Sequence, residues 1–248
     1  SDSGARHDAD GALPRLRAEV SRDSGQEPTG QESTGQESTG QARSGVAADG
    51  ASLPSERVPP GRLRIIGVGS VAIFFLYTGL EVVAGQWAFS LFTIERGMSA
   101  TRAGTWVGLY WAALTVGRIV FGWVSERVAT VIILRGALGG AVVGTLLLFP
   151  SPVTILAPVG LALLGFSLAP IFPLLIGETP RRIGARRANH LIGFQIAAAN
   201  IGAVSFIAAV GVAVEAINLE VVPWALAIVL ILFIVIHEML LVASARQS

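Results

Sequence analysis

GLEVVAGQW, at residues 79 to 87, places a carboxylate inside a mainly apolar segment that runs from Leu63 to Ile94. Glu81 lies about midway along this segment, which is long enough to cross a hydrocarbon core of about 30 Å as a helix. An ionised group near the middle of a bilayer is costly, so such a residue needs a partner or a function. The stretch therefore predicts a membrane-spanning helix with a polar site on a solute pathway.

The composition argues against a soluble domain. Hydrophobic residues make up 52% of the chain and charged residues only 14%, which leaves little polar material to cover a surface. The chain has no cysteine, which excludes disulfides and thiolate metal ligands. All 18 basic residues are arginines, the net charge is +1, and the arginines lie at the ends of apolar runs. Nucleic-acid binding is therefore not expected.

Residues 1 to 60 combine charged residues with Gly, Ser, Gln and Pro, and they contain no aromatic residue. This composition predicts a disordered cytoplasmic segment, either a loop between two halves of a longer protein or an extension. A five-residue unit repeats from 24 to 43 (SGQEP, TGQES, TGQES, TGQAR) and matches no helix face. The chain begins with Ser1, and its first apolar run starts too late for a signal peptide. We therefore expect a fragment or a processed product.

From Leu63 onward, long apolar runs alternate with short polar breaks. The continuous runs predict helices rather than barrel strands, and hence an all-α bundle of six transmembrane helices over residues 61 to 248. The predicted spans are 63 to 94, 103 to 124, 129 to 149, 153 to 177, 188 to 214 and 219 to 243.

The charges in the breaks predict the orientation. Breaks on the side of the N-terminal segment carry most of the arginines, namely Arg62, Arg64, Arg127, Arg181, Arg182, Arg186, Arg187 and Arg246. The opposite breaks hold Arg96 and Arg102 beside Glu95, then no charge in FPSPV at 149 to 153, then Glu215 and Glu220. Because an arginine excess marks the cytoplasmic side, both termini are predicted to be cytoplasmic, in a multi-pass protein of the plasma membrane.

Polar residues are concentrated in four of the six predicted spans. The third and sixth are nearly free of them and are expected to face lipid, whereas the first, second, fourth and fifth are expected to line an interior. Three prolines predict a kink in the fourth span: Pro158, Pro170 and Pro173. Small residues four apart predict close helix contacts: Gly136, Gly140 and Gly144, Gly104 and Gly108, and Gly193 with Ala197.

Four stretches together resemble the C-terminal six-helix half of the major facilitator superfamily, in its fucose permease-like branch. They are GLEVVAGQW, GRIVFGWVSERV (117 to 128), FSLAPIFPLLIGETPRRIG (166 to 184) and ANHLIGFQIAAANIGA (188 to 203). The resemblance implies a secondary transporter that moves a small polar, sugar-like solute by alternating access, coupled to protons as a symporter. It also implies that the third and sixth helices of this half face lipid.

The resemblance implies a cytoplasmic gating loop of the pattern Gly, three residues, Asp, Arg. Gly122, Glu126 and Arg127 occupy these positions, with Glu in place of Asp and no basic tail after them. Arg118 lies near the same interface, where it is expected either to pair with Glu126 or Glu178 and hold one access state, or to extend towards lipid headgroups.

The substrate and proton pathway is predicted to include Glu81, Gln86, Trp87, Tyr110, Gln195 and Asn200. Glu81 is expected to exchange a proton, or else to be a hydrogen-bonded structural residue. Trp87, which follows Gly85 at a point where the helix is expected to loosen, suits either a polyhydroxylated solute or an interfacial belt. Tyr110 and its neighbour Trp111 leave the same choice open.

Gln195 and Asn200 are five residues apart, so one side of a regular helix cannot present both to one ligand. Gln195 is the one predicted for the site, and at least one of the two is expected to hold helices together. His237 and Glu238 are expected to form an interfacial pair rather than a metal site, because no third ligand is near in sequence.

No cofactor is expected, and the absence of a nucleotide-binding glycine loop gives no support for the use of ATP. The predicted partners are the bilayer, a small polar solute, a proton, and either an N-terminal half-transporter or a second copy that completes the cavity. Two alternatives remain open: an exporter of drugs or metabolites, and a non-transporting six-helix remnant or assembly partner. An enzyme is not expected, because no nucleophile with a positioned base is found in the predicted helices.

Overall fold

The computed structural model describes residues 60 to 150 and 154 to 245, and these contain helices and short connections but no strand. The helices are α1 (Pro60–Ser90), α2 (Ala100–Val124), α3 (Thr130–Leu147), α4 (Leu156–Leu168), α5 (Ile171–Ile183), α6 (Ala185–Ala216) and α7 (Val221–Ala245), and a π-helical turn (Leu91–Glu95) follows α1. The predicted all-helical class is confirmed. Of the disordered segment predicted for residues 1 to 60, residues 1 to 59 lie outside the described residues, and Pro60 begins α1. Arg246 also lies outside them.

Within residues 60 to 150 and 154 to 245, six helical segments are long and apolar enough to cross a membrane, as predicted. They are Arg64–Glu95, Ala100–Val124, Thr130–Leu147, Leu156–Ile183, Arg186–Ala216 and Val221–Ser244. The protein is therefore a multi-pass membrane protein by the length and composition of its helices. The boundaries differ most around the fourth and fifth spans, where only Gly184 separates α5 from α6; its φ of 83° is a conformation that glycine adopts readily.

Two groups of helices meet at the centre of the bundle. α1 packs along α6 and α7, while α4 packs along α2 and α3. Within the most apolar window of each span, 44% of the first and 56% of the fourth is buried in the chain, against 17% for α2 and 17% for α6. α1 and the α4–α5 span therefore form the core, and α2 and α6 keep large open faces.

The fourth span is interrupted, which confirms the predicted kink. α4 ends at Leu168, and α5 begins at Ile171 after Pro170, which has no N–H to continue the helix. Pro158 and Pro173 each lie in the first turn of their helix, where a missing N–H costs nothing, so they do not add separate kinks. Pro180 lies inside α5 and was not predicted to matter.

The glycine repeats are only partly used for packing. A Cβ on Gly144 would lie 2.8 Å from the Gly160 carbonyl oxygen, and one on Gly140 would lie 2.4 Å from Ser167 Oγ, so these two confirm close contact between α3 and α4. For Gly136, Gly104, Gly108 and Gly193, no atom lies within 4 Å of such a Cβ. The described residues therefore make no close contact at these four positions, because each faces outward from the chain.

An ion pair joins three connections at the end of the bundle opposite the arginine-rich breaks. Arg96 Nε and Nη2 donate to the two carboxylate oxygens of Glu220 at 3.0 and 2.9 Å, and Nη2 also donates to the Leu148 carbonyl oxygen at 2.6 Å. These residues belong to the α1–α2, α3–α4 and α6–α7 connections. Their contact agrees with the predicted alternation of connections between the two ends.

Candidate functional site

The carboxylate of Glu81 is held by donors from two helices. Tyr77, one turn earlier in α1, donates its hydroxyl hydrogen to Oε2 of Glu81, and Arg118 of α2 donates from Nη2 to Oε1 at 3.3 Å. The Glu81 side chain is only 12% exposed, whereas that of Arg118 is 49% exposed. A carboxylate that is mostly removed from solvent thus has a hydrogen-bond donor for each oxygen and a positive charge on its open side.

Two tyrosines extend this cluster to the main chain. The Tyr110 hydroxyl donates to the main-chain oxygen of Glu81 at 2.7 Å, and the Tyr77 oxygen also lies 3.1 Å from the carbonyl oxygen of Leu168. Both tyrosine side chains are buried. We call Glu81, Tyr77, Tyr110 and Arg118 the Glu81 cluster; it joins α1, α2 and the end of α4.

Gly85 brings α2 close to the Glu81 cluster. A Cβ on Gly85 would lie 2.4 Å from Trp111 Cζ2 and 3.1 Å from Tyr110 Cε1. α1 continues as a regular helix through this position to Ser90, so no loosening is seen at Gly85 itself, and the irregular part of the outer half is the π-helical turn Leu91–Glu95. Because Gly85 has no side chain, two aromatic rings can pack directly against α1 at this position. One of them, Trp111, remains 38% exposed.

The partner of Arg118 differs from the two that were expected. Arg118 contacts Glu81, while Glu178 pairs with Arg181 on its own helix at 2.9 Å and Glu126 is exposed in the α2–α3 connection. The expected partners were chosen for being near the same interface. The packing of α1 against α2 could not be seen from sequence, and it places Arg118 against the first helix instead.

Gln86 and Trp87, though adjacent, have different environments. Gln86 is exposed, whereas Trp87 is half-buried and packs against α6, with its Cζ2 3.3 Å from the place of a Cβ on Gly211. The Trp87 Nε1 is buried and has no hydrogen-bond acceptor among the described residues. Gln86 therefore remains open to a solute, and the Trp87 ring serves packing between two helices.

Gln195 and Asn200 are on different sides of α6. Gln195 is 1% exposed, and its amide donates to Thr179 Oγ1 of α5 at 3.1 Å. Asn200 is exposed and donates to the Ile196 carbonyl oxygen of its own helix at 2.9 Å. The geometry gives Gln195 the helix-bridging position, and of the two it leaves Asn200 open to a solute.

The predicted gating loop is at the arginine-rich end, and its described contacts are local. Gly122, Glu126 and Arg127 are exposed, and the Arg127 guanidinium lies 4.1 Å from the ring centre of Trp123 in a cation–π contact. Arg127 Nη1 also donates to the Trp123 carbonyl oxygen at 3.3 Å. In this conformation none of these bonds connects the loop to Arg118.

A second charged group joins α3 and α7. Arg135 Nη2 and Nε donate to the two carboxylate oxygens of Glu238 at 2.8 and 3.2 Å. His237 is fully buried beside this pair, with Nδ1 3.6 Å from Glu238 Oε1 and its ring stacked on Phe233. His237 and Glu238 are thus in contact, as expected, and Glu238 has Arg135 of α3 as a further partner. Among the described residues, no cluster of three or more His, Cys, Asp or Glu side chains suits a metal ion.

Tyr77 was not predicted for the site, although the sequence contains a signal for it. Tyr77 and Glu81 are four residues apart, which places them on the same face of a helix. No comparable signal marks Leu168, because its contribution is a main-chain oxygen at the break between α4 and α5.

Comparison with known proteins does not assign the chain to a family. No family model matches the chain, and no solved structure matches it. The chain is 28% identical over 79 residues to "Bypass of stop codon protein 6" of Saccharomyces cerevisiae, a match that covers 30% of this chain and 16% of the yeast protein. The chain is thus similar to a short part of a longer protein.

Proposed function

We propose that this chain is one half of a secondary active transporter of the major facilitator type, which moves a small polar solute by alternating access coupled to protons. The single observation that carries the proposal is Glu81. It is a carboxylate in the middle of a membrane-length helix, shielded from solvent on most sides and paired with a half-exposed arginine. Intramembrane acidic residues of this kind are typical of proton pathways.

The pair formed by Glu81 and Arg118 suggests how a proton would act. While Glu81 is ionised, Arg118 is drawn to α1 and holds α2 beside it. When Glu81 takes up a proton, the charge attraction is lost and only a neutral hydrogen bond remains. Proton binding thus weakens one link between two helices, as a change of access state requires.

The open faces of the bundle suggest the class of solute. The exposed polar and aromatic side chains on these helices include an amide on α1, an indole and a hydroxyl on α2, and an amide on α6: Gln86, Trp111, Thr115 and Asn200. Amides and hydroxyls beside an aromatic ring suit a polyhydroxylated solute such as a sugar. A second half or a second copy would close this open face.

Two alternatives come from the same geometry. The first alternative is an exporter of drugs or metabolites such as hydrophobic cations. It is favoured by an apolar groove of about 1090 Å³ between α1 and α7, which is lined by residues that include Val68 and Met239 but not Glu81. An assembly partner with no transport activity is favoured by the open faces of α2 and α6.

Uptake into proteoliposomes tests the proposal. The full chain would be reconstituted and supplied in parallel with radiolabelled monosaccharides, polyols and a hydrophobic cation, with and without a pH gradient. We expect uptake of a polyhydroxylated solute that increases when the outside is acidic. Accumulation of the cation alone would favour the exporter, and no uptake of any solute would favour the assembly partner.

A further inference from the structure

Tyr77 contacts two acceptors with one hydrogen to donate. Its hydroxyl oxygen is within hydrogen-bond distance of Oε2 of Glu81 and of the carbonyl oxygen of Leu168, the latter at 3.1 Å. A hydroxyl group supplies one donor hydrogen and can accept through its oxygen. The carbonyl oxygen can only accept, whereas a carboxyl group accepts when ionised and donates when protonated. The protonation state of Glu81 therefore decides which way the Tyr77 hydrogen points.

Leu168 is a place where that choice matters. It is the last residue of α4, and the final carbonyls of a helix have no partner within the helix. The Tyr77 hydroxyl is thus the side-chain donor that reaches this carbonyl at the break in the fourth span.

We propose that Tyr77 is a hydrogen-bond switch that transmits the protonation state of Glu81 to the break between α4 and α5. With Glu81 ionised, Tyr77 donates to Glu81 and the Leu168 carbonyl loses its donor. With Glu81 protonated, the carboxyl group donates to the Tyr77 oxygen, and Tyr77 donates to Leu168. The proton enters and leaves through solvent at the open side of Glu81, and no covalent bond other than its O–H changes.

The surroundings of Tyr77 favour such a switch. Among the described residues, the charged or titratable groups that act on its hydroxyl are Glu81 on its own helix and Tyr110 and Arg118 on α2. From α4 it meets the Leu168 carbonyl, and from α5 the ring of Phe172, whose centre is 5.9 Å from its own. Glu81 is thus the one acidic group of this set, so its charge is the variable that sets the direction of the hydrogen bond.

The break is also packed against α2 next to Arg118. A Cβ on Gly117 would lie 2.6 Å from the Cβ of Ala169 and 2.9 Å from the Phe166 carbonyl oxygen. A change in the hydrogen bonding of Leu168 would therefore alter the packing at Gly117, the residue before Arg118. The switch deepens the proposed function, because it connects the carboxylate on α1 to both α2 and the α4–α5 span.

Infrared difference spectroscopy of the full chain tests the switch directly. The chain has two tyrosines, so ring-deuterated tyrosine marks the bands of Tyr77 and Tyr110 alone. The Tyr110→Phe variant leaves Tyr77 as the only tyrosine, and Glu81→Gln identifies the carboxyl band of Glu81. We expect the C–O band of Tyr77 to shift over the same pH range in which the Glu81 carboxyl band appears, and we expect Glu81→Gln to abolish that shift.

Two outcomes would overturn the proposal in different ways. A Tyr77 band that stays fixed while Glu81 titrates would eliminate the switch and leave the proposed proton role of Glu81 intact. The absence of any carboxyl band sensitive to Glu81→Gln would eliminate the proton role and the switch together. Because both results come from variants that keep Tyr77, they do not depend on whether Tyr77→Phe folds.

The transmission to α5 has its own measurement. The chain has no cysteine, so spin labels can be placed at Gly177→Cys on α5 and Met239→Cys on α7, both of which are exposed. We expect the distance between the labels to change with pH and to lose this change in Tyr77→Phe. The control Thr105→Val, which removes a hydroxyl bonded only to the Thr101 carbonyl oxygen of its own helix among the described hydrogen bonds, should retain it. A full pH response in folded Tyr77→Phe would contradict the transmission.

Discussion

Arg118 reaches Glu81 through a single nitrogen and remains half-exposed, so the contact is expected to matter more for function than for stability. Partly exposed ion pairs contribute about 0.2 to 1 kcal/mol. In Arg118→Ala we expect the free energy of unfolding to fall by less than about 1 kcal/mol. We expect solute uptake to fall about tenfold or more, which corresponds to about 1.4 kcal/mol in the barrier.

Arg102→Ala is the matched control, because Arg102 is an exposed arginine of the same helix. Within the described part of the chain, its side-chain hydrogen bond is to Ser99 Oγ. Uptake and thermal unfolding would be measured for both variants. Equal uptake in the two variants would remove Arg118 from the mechanism.

The two amides of α6 should separate stability from transport. Gln195→Ala removes a buried bond to Thr179, and bonds between membrane helices contribute on average about 0.6 kcal/mol, up to about 1.7. We expect it to lower the unfolding free energy by about 1 kcal/mol and to leave the KM for the solute unchanged.

Asn200→Ala should instead raise the KM with little effect on unfolding, because Asn200 is exposed and bonded within its own helix. The opposite pattern, with a raised KM only in Gln195→Ala, would support the original prediction from sequence.

Individual polar residues were predictable from sequence, but their partners were not. Glu81, Tyr110 and Arg118 stand out because each is a polar group within an apolar run. Which turn of α2 faces α1 depends on the packing of aromatic rings against Gly85, and that packing carries no periodic signal. The contact between Arg118 and Glu81 therefore emerged only from the structure.

Among the helical elements, α3 gives a sharp test of packing. A Cβ on Gly144 would meet the Gly160 carbonyl oxygen and the Leu164 nitrogen, both at 2.8 Å, and these main-chain atoms cannot move aside cheaply. We expect Gly144→Ala to destabilise the bundle by about 1 to 3 kcal/mol. The fall would be measured as a lower free energy of unfolding in detergent.

Gly136→Ala is the control on the same helix, since no atom lies within 4 Å of its Cβ position. Alanine has the better helix propensity by up to about 1 kcal/mol, so this variant should be neutral or slightly stabilising. A similar loss of stability in the two variants would contradict the described contact between α3 and α4.

The same elements show which sequence signals are informative. The three prolines of the fourth span correctly predicted a kink, and of the three it is Pro170 that lies at the break, because Pro158 and Pro173 fall in the first turns of α4 and α5. The glycine repeat did not distinguish Gly144, which contacts α4, from Gly136, which faces outward. Spacing defines a stripe on one helix and says nothing about which neighbour covers it.

For the whole molecule, the six spans were predictable because hydropathy is summed over about 20 residues and tolerates local errors. The arrangement of those spans was not predictable, because it depends on side-chain contacts between helices. The predicted cavity needs a second half or a second copy, and the open faces of α2 and α6 are consistent with this expectation. The polar side chains of α2 and α6, such as Arg118 and Asn200, lie on open faces in this chain rather than around an enclosed cavity.

The open faces of α2 and α6 predict an association in the membrane. A cysteine pair at Gly108 and Val204, on the exposed faces of these helices, should form disulfides between two copies and give a band at twice 25.8 kDa. The control is a cysteine pair at Val143 on α3 and Ile231 on α7, which are also exposed. This control pair should form no disulfide between two copies. Crosslinking of the control pair alone would contradict the assignment of the pathway to the side of α2 and α6.

Solute-driven proton movement tests the central claim most directly. Proteoliposomes would hold the full chain and an internal pH dye, and the solute found in the uptake screen would be added outside. We predict acidification of the interior with the wild-type chain and with Glu95→Gln, which alters an exposed carboxylate at the end of the same span, but none with Glu81→Gln. Equal acidification with Glu81→Gln would contradict a proton-carrying role for Glu81.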